Sequence, residues 1–183
     1  MGIYVAMLRG INVGGKGLLK MDALRLLVTG LGHSDVSTYI QSGNVVFASR
    51  KGTAATIADG IEARIKKDLG MQVTVIVRSG AELAEIVQKN PFLPGADPVT
   101  LYVIFLASPP ERAALTRLDA KQVAPDEFRV AGREVYARYP NGYGRSKMTN
   151  SFFENRLRLR GTARNWTTVT RLAELAGNAK AKK

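Results

Sequence analysis

Two hydrophobic periods alternate along the chain. Ile3 to Leu8 is apolar on both faces, as expected of a strand covered on two sides. After a glycine-rich stretch, Met21, Leu24, Leu27 and Leu31 recur at helical spacing, and the Gly-Leu-Gly after Thr29 supplies a C-terminal stop. The β-rich runs VSTYIQ and NVVFAS follow, parted by Ser42-Gly43, a hairpin signal because glycine accepts the positive φ of a tight turn. Ile57, Ile61, Ile65 and Leu69 form a second helical stripe, and Val73, Val75 and Val77 alternate as a strand. Strand, helix, hairpin, helix, strand is the ferredoxin-like βαββαβ order, which predicts an antiparallel sheet carrying both helices on one face.

A short helix over Ala81 to Lys89 leads into NPFLPGADP, whose prolines and glycine on either side of Leu93 mark a domain boundary. Beyond it the order partly repeats. TLYVIFLA reads as a strand, Glu111 to Leu118 as a Pro-started helix, and EFRV and EVYARY as strands joined through Ala131-Gly132. Helices near Asn150 to Leu159 and Asn165 to Leu175 close the pattern, with no clear final strand to complete a second ferredoxin-like unit. The expected fold class is α+β: a ferredoxin-like domain over residues 1–90, a smaller basic α+β domain over 98–178, and a frayed basic tail at 179–183.

Composition narrows the chemistry. The chain has 183 residues, no cysteine and one histidine, which excludes disulfides, thiolate nucleophiles and Cys-ligated metal, and leaves little room for histidine-based triads. No paired carboxylates stand at metal-ligand spacing, so neither a metal nor a cofactor is expected. The apolar start reaches Arg9 without a basic leader or cleavage site, and no apolar run approaches the roughly 18 residues that span a bilayer. The expectation is a cytoplasmic protein without a membrane partner; the oligomeric state is not encoded in any pattern.

The run YVAMLRGINVGGKGLLKMDALRLLVTGLGHSDVSTYIQSGNVVF, together with the late TARNWTTVTRL, closely resembles the bacterial domain-of-unknown-function family 1697. RGINVGG and YIQSGNVVF are its most specific blocks. The resemblance implies a two-part α+β fold with a ferredoxin-like N-terminal half, and it implies no activity.

Candidate chemistry must therefore come from the residues. Gly10 to Lys16 fits the first seven positions of the P-loop pattern G-x-x-x-x-G-K, but Gly17 stands where a Ser or Thr would hold magnesium, and no later strand ends in an Asp. Nucleotide hydrolysis is thus not expected there. Anion binding still is: backbone N–H groups around Asn12, Gly14 and Gly15 can converge, with Arg9 and Lys16 adding charge. The competing reading is that the glycines only let a strand-to-helix connection pack closely. Gln41, Ser42 and Asn44 join this candidate site if the hairpin tip faces the loop.

The net charge of +12 is concentrated late. Residues 129–171 hold ten basic residues against Glu134 and Glu154. Arg145 and Lys147 lie in a glycine-rich loop, Arg156 and Arg160 are one helical turn apart, and Arg164 precedes a helix that Thr162 or Asn165 can cap. Arginine forks suit phosphate, and Tyr136, Tyr139 and Tyr143 offer flat faces beside them. Trp166, Phe152 and Phe153 read more simply as core, and His33 as a residue at a helix C-terminus. The leading expectation is a binder of a phosphate-rich ligand, nucleic acid first. The alternatives are an enzyme acting on a small phosphorylated or nucleotide substrate in an inter-domain cleft, and a protein-interaction module.

Overall fold

The computed structural model describes residues 1–13, 18–50 and 52–181 and divides the chain into two compact units, Met1–Gln88 with Arg171–Lys183, and Lys89–Thr170. The sequence-expected second domain ran on to 178, whereas this division groups the chain from Arg171 onward with the first unit.

The first unit runs β1 (Gly2–Leu8), α1 (Met21–Gly30), β2 (Ser34–Tyr39), β3 (Asn44–Ser49), α2 (Ala54–Leu69), β4 (Val75–Ser79) and α3 (Gly80–Gln88). Its sheet has the order β2-β3-β1-β4, antiparallel at every pairing. Ala6 and Leu8 of β1, Val45 and Phe47 of β3, and Val75 and Val77 of β4 share one core with Leu24, Leu27 and Val28 of α1 and Ile57, Ala58, Ile61 and Ile65 of α2. The period-2 set of the strands and the period-3.6 sets of the helices therefore meet on one sheet face. Leu69, last in the predicted α2 stripe, is instead exposed. α2 begins with a capping box between Thr53 and Thr56 and ends at Gly70 in the left-handed region.

The second unit runs β5 (Leu101–Leu106), α4 (Arg112–Leu115), β6 (Glu127–Ala131), β7 (Glu134–Arg138), α5 (Asn150–Leu157) and β8 (Gly161–Asn165), followed by α6 (Trp166–Ala181). Its sheet has the order β6-β7-β5-β8, position for position that of the first unit. The final strand that the sequence pattern lacked is β8, hidden in GTARN, and it pairs antiparallel with β5 from Leu106↔Gly161 to Tyr102↔Asn165. α4 is a single turn, shorter than the expected 111–118 helix. Of the expected basic tail at 179–183, α6 takes in the residues up to Ala181, and 182–183 lie outside the described residues. Among the described residues the chain is an α+β protein of two four-stranded antiparallel sheets and six α-helices.

Candidate functional site

In the first unit the glycine-rich loop and the hairpin tip do meet. β1 delivers the chain to Gly10, whose φ of 64° lets it turn. Asn12, itself at φ 57°, spends its side-chain amide on three bonds. Its Nδ2 donates to the Leu19 carbonyl at 3.0 Å and to the Gln41 carbonyl at 2.8 Å, and its Oδ1 accepts from the Leu19 N–H at 2.8 Å. Asparagine tolerates this backbone region because its short polar side chain can bond locally. On the hairpin, Asn44 is fully buried, and its Nδ2 donates to the Tyr39 carbonyl and to Ser42 Oγ. The Leu8 N–H donates to the Gly43 carbonyl at 2.8 Å, which seats the tip on the end of β1.

Of the sequence-predicted site residues, Asn12, Gln41, Ser42 and Asn44 are thus brought together. The amides of Asn12 and Asn44 are occupied in holding loop and tip, while Gln41 stays exposed. The Arg9 N–H donates to the Thr74 carbonyl, which fixes that backbone beside the start of β4. Gly14, Gly15 and Lys16 lie outside the described residues. The sheet that feeds the loop is antiparallel at every pairing, unlike the parallel sheet on which a P-loop depends.

In the second unit Arg145 and Lys147 line a cavity of about 210 Å³. Its walls also include Gln122, Asp126, Asn141 and Ser146. Asp126 is the one acidic wall residue among those described, and its Oδ2 accepts from Ser146 Oγ at 2.5 Å. Ser146 Oγ in turn accepts from the Met148 N–H at 2.8 Å, which fixes the loop that carries both cations. Arg156 reaches the rim: its Nη2 donates to Gln122 Oε1 at 3.2 Å, and its guanidinium lies 3.8 Å from the centre of the Phe152 ring. Arg117 donates to the Arg156 carbonyl at 3.4 Å and adds a further positive charge. Gln122, Asp126 and Ser146 were missed from sequence, since nothing in the spacing of residues 122, 126 and 146 joins them.

Two sequence expectations are corrected here. Arg164 does not stand free at a helix start; it lies on β8, only 7% exposed, and its Nη1 donates to Thr162 Oγ1 and to the Ala163 carbonyl, each at 2.8 Å. Burial lowers its pKa to about 10, which leaves it charged at neutral pH. The helix is capped by Asn165, whose Oδ1 accepts from the Thr168 N–H at 2.9 Å. Nor are the tyrosines flat platforms for bases. Tyr136 and Tyr139 are buried, and Tyr143 stacks on Tyr102 at 4.8 Å with its hydroxyl accepting from the Asn150 N–H. Trp166 is buried, as a core residue would be.

No group of three or more His, Asp or Glu side chains among the described residues is placed to hold a metal ion. No helix among them is long and apolar enough to cross a membrane.

The model of a family described as "Protein of unknown function (DUF1697)" matches residues 1–136. Among solved structures, the conserved bacterial protein SP0830 from Streptococcus pneumoniae superposes with a TM-score of 0.71 at 21% identity, over 96% of this chain and 98% of that one. At that identity the likeness concerns the fold. A search of curated proteins finds no match.

Proposed function

This chain belongs to that family of proteins of unknown function, and we propose that it binds a phosphate-bearing ligand at the basic cavity of its second unit, with a nucleic-acid backbone as the leading candidate. The observation that carries this reading is the pairing of Arg145 and Lys147 on one cavity whose only acidic wall residue among those described, Asp126, is held by Ser146. A phosphate entering there meets two cations and donors from Asn141 and Gln122, with Arg156 at the rim. The occupied tyrosines favour contacts to phosphate over stacking on bases, so binding is expected to be insensitive to sequence. The functional residues we assign are therefore Arg145, Lys147 and Arg156; Asn12 and Asn44 serve the loop's architecture. The identical order of the two sheets supports reading each unit as a ferredoxin-like βαββαβ module.

The test is a titration of labelled single- and double-stranded oligonucleotides at two salt concentrations, beside a mononucleotide. Both oligonucleotides should bind, with affinity falling steeply as salt rises. Failure to bind either at about 50 mM salt removes the proposal. A mononucleotide that binds as tightly as the oligonucleotides would shift the reading to a small phosphorylated substrate.

A further inference from the structure

One cavity within the first unit is marked by no sequence motif. α1 ends at Gly30, and the Leu31 and Gly32 N–H groups close the turn on the Val28 and Thr29 carbonyls, Gly32 at a φ of 86°. The chain then enters β2 through His33. The pairing of β2 with β3 shifts register between Ser34 and Ser37, an irregularity of the kind that re-aims side chains beside binding sites. Around this point lies a cavity of about 480 Å³. Its polar wall is made by His33, Arg50, Ser34 and Ser49, and Leu31 and Ala48 give it an apolar floor. No carboxylate among the described residues lines it.

We propose that this cavity is a binding site for a small organic anion with an apolar body, its charge held by Arg50 and the His33 imidazole and its body set against Leu31 and Ala48. The volume suits a ring-sized ligand, and the lining combines apolar surface with a few convergent polar groups, as small-molecule sites do. Arg50 is the permanent charge and the fork that suits a carboxylate. His33 is fixed by packing, its ring 4.7 Å from that of Phe47, and burial holds its pKa below the ordinary histidine range. The free site therefore presents a neutral imidazole near neutral pH, and an anion beside it favours the imidazolium. Among the described residues, Met1 lines the same wall, and the Asp35 carboxylate lies 3.5 Å from Ser34 Oγ. Asp35 is exposed and outside the lining.

His33 is the only histidine in the chain, so its imidazole gives a single NMR signature in the full-length protein. Benzoate is the probe, because its charge is constant across the range in which histidine titrates, between about pH 5 and pH 8. Benzoate should move the His33 resonances saturably and raise the imidazole's pKa, with affinity falling about tenfold as pH rises through that range. Benzyl alcohol, of similar size and uncharged, should do neither. Arg50→Gln should abolish the benzoate effect, and Arg50→Lys should restore part of it. In His33→Gln, followed by calorimetry, benzoate should still bind but with no pH dependence. Unmoved His33 resonances at saturating benzoate overturn the proposal, and so does an equal response in Arg50→Gln or to benzyl alcohol. The site lies wholly within the first unit, so that outcome leaves the second unit's phosphate reading standing.

Discussion

Asn12 Nδ2 donates to the Gln41 carbonyl at 2.8 Å, joining the glycine-rich loop to the hairpin tip across 29 residues of sequence. The same amide closes the loop on itself by bonding both the N–H and the carbonyl of Leu19. One side chain thus fixes where the loop leaves β1, where it rejoins the chain before α1, and which hairpin lies beside it. Asn12→Ala removes three hydrogen bonds and places a Cβ-bearing residue at φ 57° without local compensation, so it should cost about 2–4 kcal/mol. Asn12→Gly should lose the same bonds but recover about 1 kcal/mol of backbone strain. Denaturant unfolding measures both, and hydrogen exchange at the Leu19 amide should quicken in each. Unchanged exchange there would mean that the loop is held by something other than Asn12.

Gly43 and Gly10 both have positive φ but face different surroundings. A Cβ on Gly43 would stand 2.5 Å from Ile11 Cδ1 and 2.9 Å from Leu8 Cβ, whereas one on Gly10 would meet nothing within 4 Å. Gly10→Ala should therefore cost about 1 kcal/mol, the backbone cost alone. Gly43→Ala adds overpacking of about 1–3 kcal/mol to that cost. Equal midpoint shifts for the two variants would show that the Leu8 and Ile11 side chains yield freely.

The first unit was legible because periodicity and turn chemistry agree there: the Ile57, Ile61, Ile65 stripe and the Ser42-Gly43 turn each point to one element type. β8 was not, because GTARN has one β-branched residue and opens on a glycine. Its identity comes from its partner: Gly161 lies against β5, where a Cβ would meet the Phe105 carbonyl oxygen at 3.1 Å, a long-range approach that no local pattern encodes. Missing the strand also misplaced Arg164, which reads as a free cation before a helix and is in fact a buried strand residue. Charge in a glycine-rich loop singles out Arg145 and Lys147 in the sequence, but Gln122 and Asp126, which line the same cavity, lie more than fifteen residues earlier. Charge density pointed to the region, and only tertiary structure separates the arginine that stabilises from the one that faces solvent.

That separation is testable by comparing stability with salt dependence. Arg164→Ala leaves Thr162 Oγ1 and the Ala163 carbonyl without their charged donor and empties the space of a buried side chain, so it should destabilise by on the order of 2–4 kcal/mol. Its slope of log affinity against log salt for an oligonucleotide, measured below the unfolding midpoint, should match that of the parent. The double variant Arg145→Ala, Lys147→Ala should do the reverse, changing stability by roughly 0.5 kcal/mol or less and lowering the slope by about 2. A slope that moves in Arg164→Ala and not in the double variant would transfer the phosphate site to β8.

Tyr139 sets the behaviour in alkali. Its side chain is buried and its hydroxyl donates to the Met148 carbonyl at 2.8 Å. Burial, followed by the nearby Tyr143, Asp126 and Tyr102, pushes its pKa well above the ordinary tyrosine range. A pKa raised on folding means that the native state keeps a proton the unfolded chain gives up. The associated stability is complete below about pH 10 and is lost above it at up to about 1.4 kcal/mol per pH unit. Tyr139→Phe removes this titration but leaves the Met148 carbonyl unpaired, at a cost of about 1–3 kcal/mol near neutrality. The variant should therefore be the less stable protein at about pH 8, and the gap should narrow steadily between about pH 10 and pH 11.5. Urea unfolding of both proteins across that range measures the gap directly. Parallel stability curves would show that Tyr139 gives up its proton as readily in the folded protein as in the unfolded chain.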